Sequence, residues 1–373
     1  MNKLNIGENI TRLRHSRGVT QEALADFVGV TKGSVSKWEN HQSMPDVSLL
    51  PLLAAFFDVS IDELIGYEAQ LDREQIRKIY QELAADFARH PFEEVMEKSR
   101  KLVKQYYSCY TFLFQISLLW LNHFMLADSP DVQQKVLGEA RELCRHICNE
   151  CKETALSSDA VMLQAYIDLQ LGKAEAVIEA LEETISPYRM TGRSEGVLIQ
   201  AYMLAGEKEK AVSYTQYAMF SHLINLVSHA IMYLELHETD FTVCEETIRR
   251  VDQLDKVYQF AALDGNAAAI FQMQAACFYA RYGKAEQAVE RLGRYVSVIR
   301  WMFSKENLTN HGDAYFDRIQ AWYEGCDLGN RTPRSRKVIL DSALQIFDYP
   351  VFDGVKERHD FQKLQQSLKE IRI

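Results

Sequence analysis

Lys32 and Lys37 stand five positions apart in the stretch TQEALADFVGVTKGSVSKWEN (20–40), with Gly33, Ser34 and Ser36 between them. Lysine ammonium groups donate hydrogen bonds to phosphate oxygens and to guanine O6 and N7. That chemistry needs an element that holds both side chains outward, and the flanking residues predict one. Thr20 is an N-cap residue, and Ala23, Leu24, Phe27 and Val28 then recur on one helical face. Gly29 follows, where a chain leaving a helix takes a positive φ. Thr31 is a second N-cap residue, and Val35 and Trp38 supply the apolar side of the next helix. Lys32, Gly33, Ser34, Ser36 and Lys37 are left facing outward. Two short helices around a glycine-bearing turn, the second basic at its N-terminal end, suit entry into a DNA major groove. A plain helical hairpin in an all-α protein is the alternative.

The segment Gly7 to Gly66 resembles the lambdoid-repressor type of helix-turn-helix domain, the Xre or Cro/CI-like group. The matching residues are Arg14, Gly18, Thr20-Gln21, Leu24-Ala25, Val28-Gly29-Val30, Thr31, Val35, Trp38-Glu39-Asn40, Pro45, Leu52-Leu53-Ala54 and Leu64-Ile65-Gly66. The resemblance implies that Lys32, Gly33, Ser36 and Lys37 face base edges. Gly33 departs from the pattern, since many relatives carry a long polar side chain there; specificity then rests more on its neighbours and on DNA shape. Thr20, Gln21, Thr31 and Asn40 match phosphate-contacting positions, and Arg14 matches one that pairs with the equivalent of Glu39 while approaching phosphate. The family binds pseudo-palindromic operators as dimers. A homodimer on double-stranded DNA is therefore implied, with the larger helical part supplying the interface.

The net charge of −10 looks wrong for a DNA binder until it is divided. Residues 1–45 hold six basic and four acidic side chains, a balance of +2, which leaves −12 for the rest. Phosphate binding depends on the local face, so only the first 45 residues offer one. Few glycines and prolines, 17 and 7, predict an almost wholly helical chain. The N-terminus lacks a signal-peptide pattern, and the apolar run at 112–127 is broken by Gln115, Asn122 and His123. It reads as a fully buried helix, in a cytoplasmic protein with no membrane contact whose cysteines stay reduced.

In chain order, Asn5–Arg17 predicts a first helix, the pair above follows, Pro45-Asp46 opens a fourth, and Ser60-Ile61-Asp62-Glu63 caps a fifth. Residues 1–66 thus form the five-helix DNA-binding domain, 67–75 a linker, and 76–373 a second all-α domain. Three segments of that domain repeat: 164–177, 200–212 and 274–289. Tyr202, Gly206 and Ala211 share their offsets with Tyr279, Gly283 and Ala288, and Gly172 to Gly206 is 34 residues. A 34-residue helix-turn-helix unit with these offsets resembles the tetratricopeptide repeat. Glycine permits the tight turn, and alanine lets the helices approach. The copy at Gly172 lacks the tyrosine and is one residue short. Roughly five to seven helical pairs are expected, stacked as a superhelix, with an atypical end from Arg334 on. An unrelated helical bundle is the alternative.

Tetratricopeptide stacks bind peptides or partner segments on a concave face. A repressor-type domain joined to such a stack resembles the Gram-positive regulators that respond to short signalling peptides. By repeat offset, Tyr166, Gln200, Met203, Met273, Cys277 and Arg281 are the groove candidates, or else pack between repeats. An antitoxin-like or scaffold protein, holding a protein partner and regulating its own operator, is the competing reading. Cys144, Cys148 and Cys151 share a helix face, yet no second CxxC pair completes a metal site. Buried helix-face cysteines account for them, and no metal or cofactor is expected. No phosphate loop, HExxH or GxSxG occurs, so an enzyme is not expected.

Overall fold

The computed structural model describes residues 5–67, 70–182, 185, 194–306, 308–309, 312–326 and 328–372; all its regular elements among these are helical. Side-chain caps set the first boundaries. After α1 (Ile6–Ser16), Thr20 Oγ1 accepts from the Ala23 N–H at 3.1 Å and opens α2 (Gln21–Val28). Thr31 Oγ1 accepts from the Ser34 N–H at 3.2 Å and opens α3 (Lys32–Glu39). Gly29 leaves α2 with φ 77°. Then come α4 (Leu50–Phe57) and α5 (Ile61–Ile65), the latter capped by Ser60 Oγ on the Glu63 N–H.

Ile10, Leu13, Leu24, Ala25, Val28, Val35, Trp38, Leu53, Phe57 and Leu64 form the core of these five helices. Two expectations are corrected here. Ala23 and Phe27 do not point inward: Phe27 is 56% exposed, its ring lying against Phe56, and Ala25 takes the inner position. The fourth helix does not open at Pro45-Asp46. The Asp46 carboxylate accepts from the Ser48 N–H and hydroxyl, which ties 47–49 into a 3-10 turn before α4.

The chain divides into two compact units, Met1–Asp72 with Met96–Ile116, and Arg73–Val95 with Ser117–Ile373. Glu68 and Ala69, in the expected linker 67–75, lie outside the described residues. The helices that follow are α6 (Arg73–Asp86), α7 (Phe92–Gln105) and α8 (Tyr110–His123). The apolar run 112–127 does not continue as one buried helix. After His123 it tightens into a 3-10 turn, and Met125 is 68% exposed. No helix among the described residues is long and apolar enough to cross a membrane.

The larger unit continues with α9 (Pro130–Glu150), α10 (Thr154–Gln170), α11 (Ala174–Leu181), α12 (Ser194–Leu204) and α13 (Lys208–Leu236). After them come α14 (Phe241–Tyr258), α15 (Phe260–Leu263), α16 (Gly265–Arg281) and α17 (Ala285–Phe303). Its end is built from α18 (Gln320–Gly325), α19 (Arg336–Gln345) and α20 (His359–Lys369).

Helical hairpins form by one recurring device. Gly172, Gly206 and Gly283 take φ of 70°, 76° and 66° between α10 and α11, α12 and α13, and α16 and α17. In each, the N–H after the glycine returns to the carbonyl four residues before it: Lys173 to Asp168, Glu207 to Tyr202, and Lys284 to Tyr279, at 2.8, 2.9 and 2.9 Å. Asp168 therefore replaces the missing tyrosine without changing the turn. Ala211 and Ala288 are buried in the first turn of α13 and of α17. The C-terminal end departs from this pattern: Phe347, Phe352 and Phe361 pack into a core shared with α16 and α17.

Candidate nucleic-acid interface and effector clefts

Buried Val35 and Trp38 hold α3 by its inner face. Gly7 lets α1 come close to it, for a Cβ there would stand 2.3 Å from the Trp38 carbonyl oxygen. In the sequence Gly7 marks only the start of the family resemblance. A second tie is ionic. Arg14 Nε and Nη2 donate to Glu39 Oε1 and Oε2 at 2.7 and 3.1 Å, and Gln21 Nε2 donates to Oε2 at 2.7 Å. Arg14 Nη1 donates to the Val19 carbonyl at 2.9 Å. The Arg14 and Glu39 side chains are only 11% and 7% exposed. Burial pulls the Glu39 carboxyl upward, but the bonds from Arg14 and Gln21 outweigh it and hold it below the usual range. The bond to Glu39 likewise raises Arg14.

This brace leaves the outer face of α3 clear. Lys32, Gly33 and Lys37 are exposed and Ser36 is half-buried. Lys32 Nζ lies 3.8 Å from Glu22 Oε2, an exposed contact that salt screens. Asn40 Nδ2 donates to the Ser36 carbonyl at 2.8 Å, which keeps its amide at the end of the same helix. Thr20 and Thr31 spend an oxygen lone pair on capping, and Arg14 and Gln21 spend donors on Glu39. A Cβ on Gly33 would have only Thr31 Oγ1 near it, at 3.7 Å, so the backbone does not require glycine there.

Of the groove candidates, Met273, Cys277 and Arg281 come together along α16. They line a cleft of about 470 Å³ with Glu235, Glu238 and Tyr349. Arg281 Nη1 pairs with Glu238 Oε2 at 2.8 Å. Burial pushes the Cys277 thiol up to about 11, so it stays protonated. Tyr166 on α10 and Gln200 and Met203 on α12 are exposed and do not line this cleft. On α9, Cys144 is fully buried and pushed up to about 12 by that burial. Cys148 Sγ donates to the Ser157 carbonyl, and Cys151 ends the helix. No group of metal-ligating side chains gathers among the described residues.

A second cleft, of about 560 Å³, lies between α15, α16, α17, α19 and the segment before α19. Of the six groove candidates, Met273 alone also lines it. The available signal was the basic run RTPRSRK at 331–337 in an otherwise acidic region.

The helix-turn-helix family model matches residues 10–64. Over 83 residues the chain is 32% identical to the HTH-type transcriptional activator BcrR of Enterococcus faecalis, covering 21% of this chain and 41% of that protein. Over 71 residues it is 37% identical to the HTH-type regulator YonR of Bacillus subtilis, covering 19% and 66%. It is 29% identical over 109 residues to SinR of Bacillus subtilis, covering 27% and 98%. The chain thus spans less than two thirds of the length of BcrR and just under two thirds of YonR. Two solved structures are similar at low level. Bacillus thuringiensis PlcR in complex with the peptide PapR7 and DNA has TM-score 0.30 and 13% identity, covering 80% of this chain and 95% of that one. The apo competence regulator ComR of Streptococcus vestibularis has TM-score 0.26 and 14% identity, covering 87% and 98%. With its capped α2 and α3, its Gly29 turn and the Arg14–Glu39 brace, the segment 10–64 is a helix-turn-helix domain of the Xre type, the DNA-binding module of transcriptional regulators.

Proposed function

We propose that the chain is a sequence-specific transcription regulator whose helical-hairpin part binds a peptide or protein effector and sets the geometry of a homodimer. The observation that carries the DNA half is α3. Its buried side is fixed by Val35, Trp38 and the Arg14–Glu39 brace, while Lys32, Gly33 and Lys37 stand exposed. In this reading Lys32, Gly33, Ser36 and Lys37 face base edges, and Thr20, Gln21, Thr31 and Asn40 approach phosphates. Arg14 acts mainly as the positioning residue for α3, because Nε, Nη1 and Nη2 each bond within the domain. Residues 1–66 read DNA, 67–75 transmit, and 76–373 sense.

The effector half is supported by the glycine-turn hairpins and by the cleft that gathers Met273, Cys277 and Arg281. Purified protein is titrated onto labelled DNA from its own upstream region at two salt concentrations, with and without a low-molecular-mass fraction of spent medium. Lys32→Ala/Lys37→Ala is the DNA-blind control, expected to lose specific binding and to flatten the salt dependence. Equal binding by wild type and variant would overturn the assignment of α3. A change of affinity with the fraction supports a small effector. No change with the fraction, with specific binding intact, shifts the reading to a protein partner.

A further inference from the structure

The cleft of about 560 Å³ has an apolar wall, from Ile270, Met273, Ile299 and Met302 among others, and an unusual charge balance. Lys305, Arg331 and Arg334 line it, against Asp264 as its one carboxylate among the described residues. That carboxylate is already used: Asp264 Oδ1 caps α16 by accepting from the Ala267 N–H at 2.9 Å. The cations are less committed. Lys305 Nζ stands 5.0 Å over the Trp301 ring, and Arg331 donates to the neutral amide oxygen of Gln81. Neither Lys305 nor Arg334 reaches a carboxylate among the described residues. Elsewhere in this unit Arg281 is paired with Glu238 and Arg291 with Asp252. Cations left without carboxylates at the rim of an apolar cleft favour an anion with an apolar body.

We infer that this cleft captures a short apolar peptide by its C-terminal carboxylate, held by Arg334 and Lys305 while its side chains enter the apolar wall. The inference rests on the effector reading above and names the subsite and the chemical handle. The structure also ties the cleft to α6. Tyr80 Oη donates to the Pro333 carbonyl at 3.2 Å, and Arg77 donates to the carbonyls of Glu324 and Cys326 at 2.8 and 2.5 Å. The segment that presents Arg331 and Arg334 is therefore stitched to α6, which starts seven residues after the helix-turn-helix domain ends at Gly66. An anion seated on Arg334 would tighten the segment that α6 grips.

The test uses the full chain and two probes that differ in charge, 1-anilinonaphthalene-8-sulfonate and the uncharged N-phenyl-1-naphthylamine, followed by fluorescence. Arg334→Gln/Lys305→Gln should weaken the anionic probe about tenfold, or about 1.4 kcal/mol, and the neutral one less than about twofold. Arg334→Lys should retain most of the affinity. Both side chains lack carboxylate partners among the described residues, so the variants should keep the wild-type melting temperature. Free-acid leucine-rich tripeptides should displace the anionic probe, whereas their C-terminal amides should not. An unchanged affinity for the anionic probe, or an equal fall for both probes, overturns the subsite. Displacement by decanoate but not by free-acid peptides overturns the peptide as occupant. Hydrogen exchange at 328–336 and in α6 should slow with the anionic probe; no slowing at either overturns the coupling. If the medium fraction still alters DNA affinity while the probes ignore the substitutions, the subsite falls and the effector reading stands. If the probes obey the charges while the fraction does nothing, the subsite stands and the effector reading falls.

Discussion

The hairpins at Gly206 and Gly283 share one motif and one turn, yet they sit in opposite surroundings. Both place a tyrosine four residues before the glycine and an alanine five after, and both glycines have φ near 70°. Around Gly283, α16 has eleven buried residues, and Arg291 is itself buried and bonded to Asp252 at 2.6 Å. Around Gly206, α12 has no buried residue among those described, and Leu204 is 90% exposed. The motif therefore encodes the reversal of the chain and not the depth of its packing. Turn geometry is local, whereas burial depends on which helices arrive from distant parts of the sequence.

The sharpest way to break this contrast is to truncate a leucine on each side of it. Leu292→Ala, at a position with no exposure, should cost about 2–5 kcal/mol in denaturant unfolding. Leu204→Ala should stay within about 0.5 kcal/mol. Equal losses would mean that the open hairpin is covered in solution.

Histidines extend the contrast. His222, on the open hairpin, meets Glu195 at 2.7 Å on the surface. His123 is fully buried, donates from Nδ1 to the Leu119 carbonyl at 2.8 Å and stacks on Phe87 at 4.6 Å. Its Nε2 has no hydrogen-bond partner among the described residues. Burial pushes it from 6.5 down to about 4. Below pH 6.5 the unfolded chain takes up a proton that the folded chain refuses. Stability is therefore lost as pH falls from about 6.5 to about 4, by about 3 kcal/mol in total. His123→Phe should flatten that part of the stability–pH curve, measured by urea titration at several pH values; a slope equal to that of the wild type would discard the explanation.

Glycines give the smaller effects. Gly206→Ala and Gly283→Ala should each cost about 1–2 kcal/mol, because both force a side chain into the left-handed region. Native-state hydrogen exchange should show the first as opening confined to α12 and α13, and the second as loss of global stability. Gly33 differs in kind, with no positive φ and only Thr31 Oγ1 near its Cβ position, at 3.7 Å. Gly33→Gln should change stability by less than about 0.5 kcal/mol in thermal melts while altering which half-sites the protein prefers in a binding-site selection.

Much of the first domain was legible in sequence because caps and turns act within four residues. Thr20, Thr31, Ser60 and Gly29 each declare their part, and the glycines of the repeats do the same. The misreadings have a common physical origin. Phe27 has helical spacing but faces outward against Phe56, since a helix of eight residues offers several plausible faces and only its neighbours select one. Asp46 diverts its own backbone into a 3-10 turn, a competition that hydrophobic periodicity does not register. Repeat offset, the basis of the groove candidates, places residues on a helix but not beside a cavity. Three of the six, on α16, line one cleft, and the other three do not.

By itself the sequence determined the two-part organisation of helix-turn-helix followed by hairpins, the outward lysines of α3 and the glycine reversals. These are properties of neighbouring residues, set by backbone sterics, capping and the period of the helix. Tertiary structure alone decided that Arg14 and Gln21 converge on Glu39, that Gly7 must be small beneath Trp38, and that Lys305 and Arg334 meet no carboxylate among the described residues around an apolar cleft. Whether a charge is paired depends on what long-range packing brings within about 4 Å of it, and Gln21 meets Glu39 across 18 residues whereas Arg334 meets no such partner among those described.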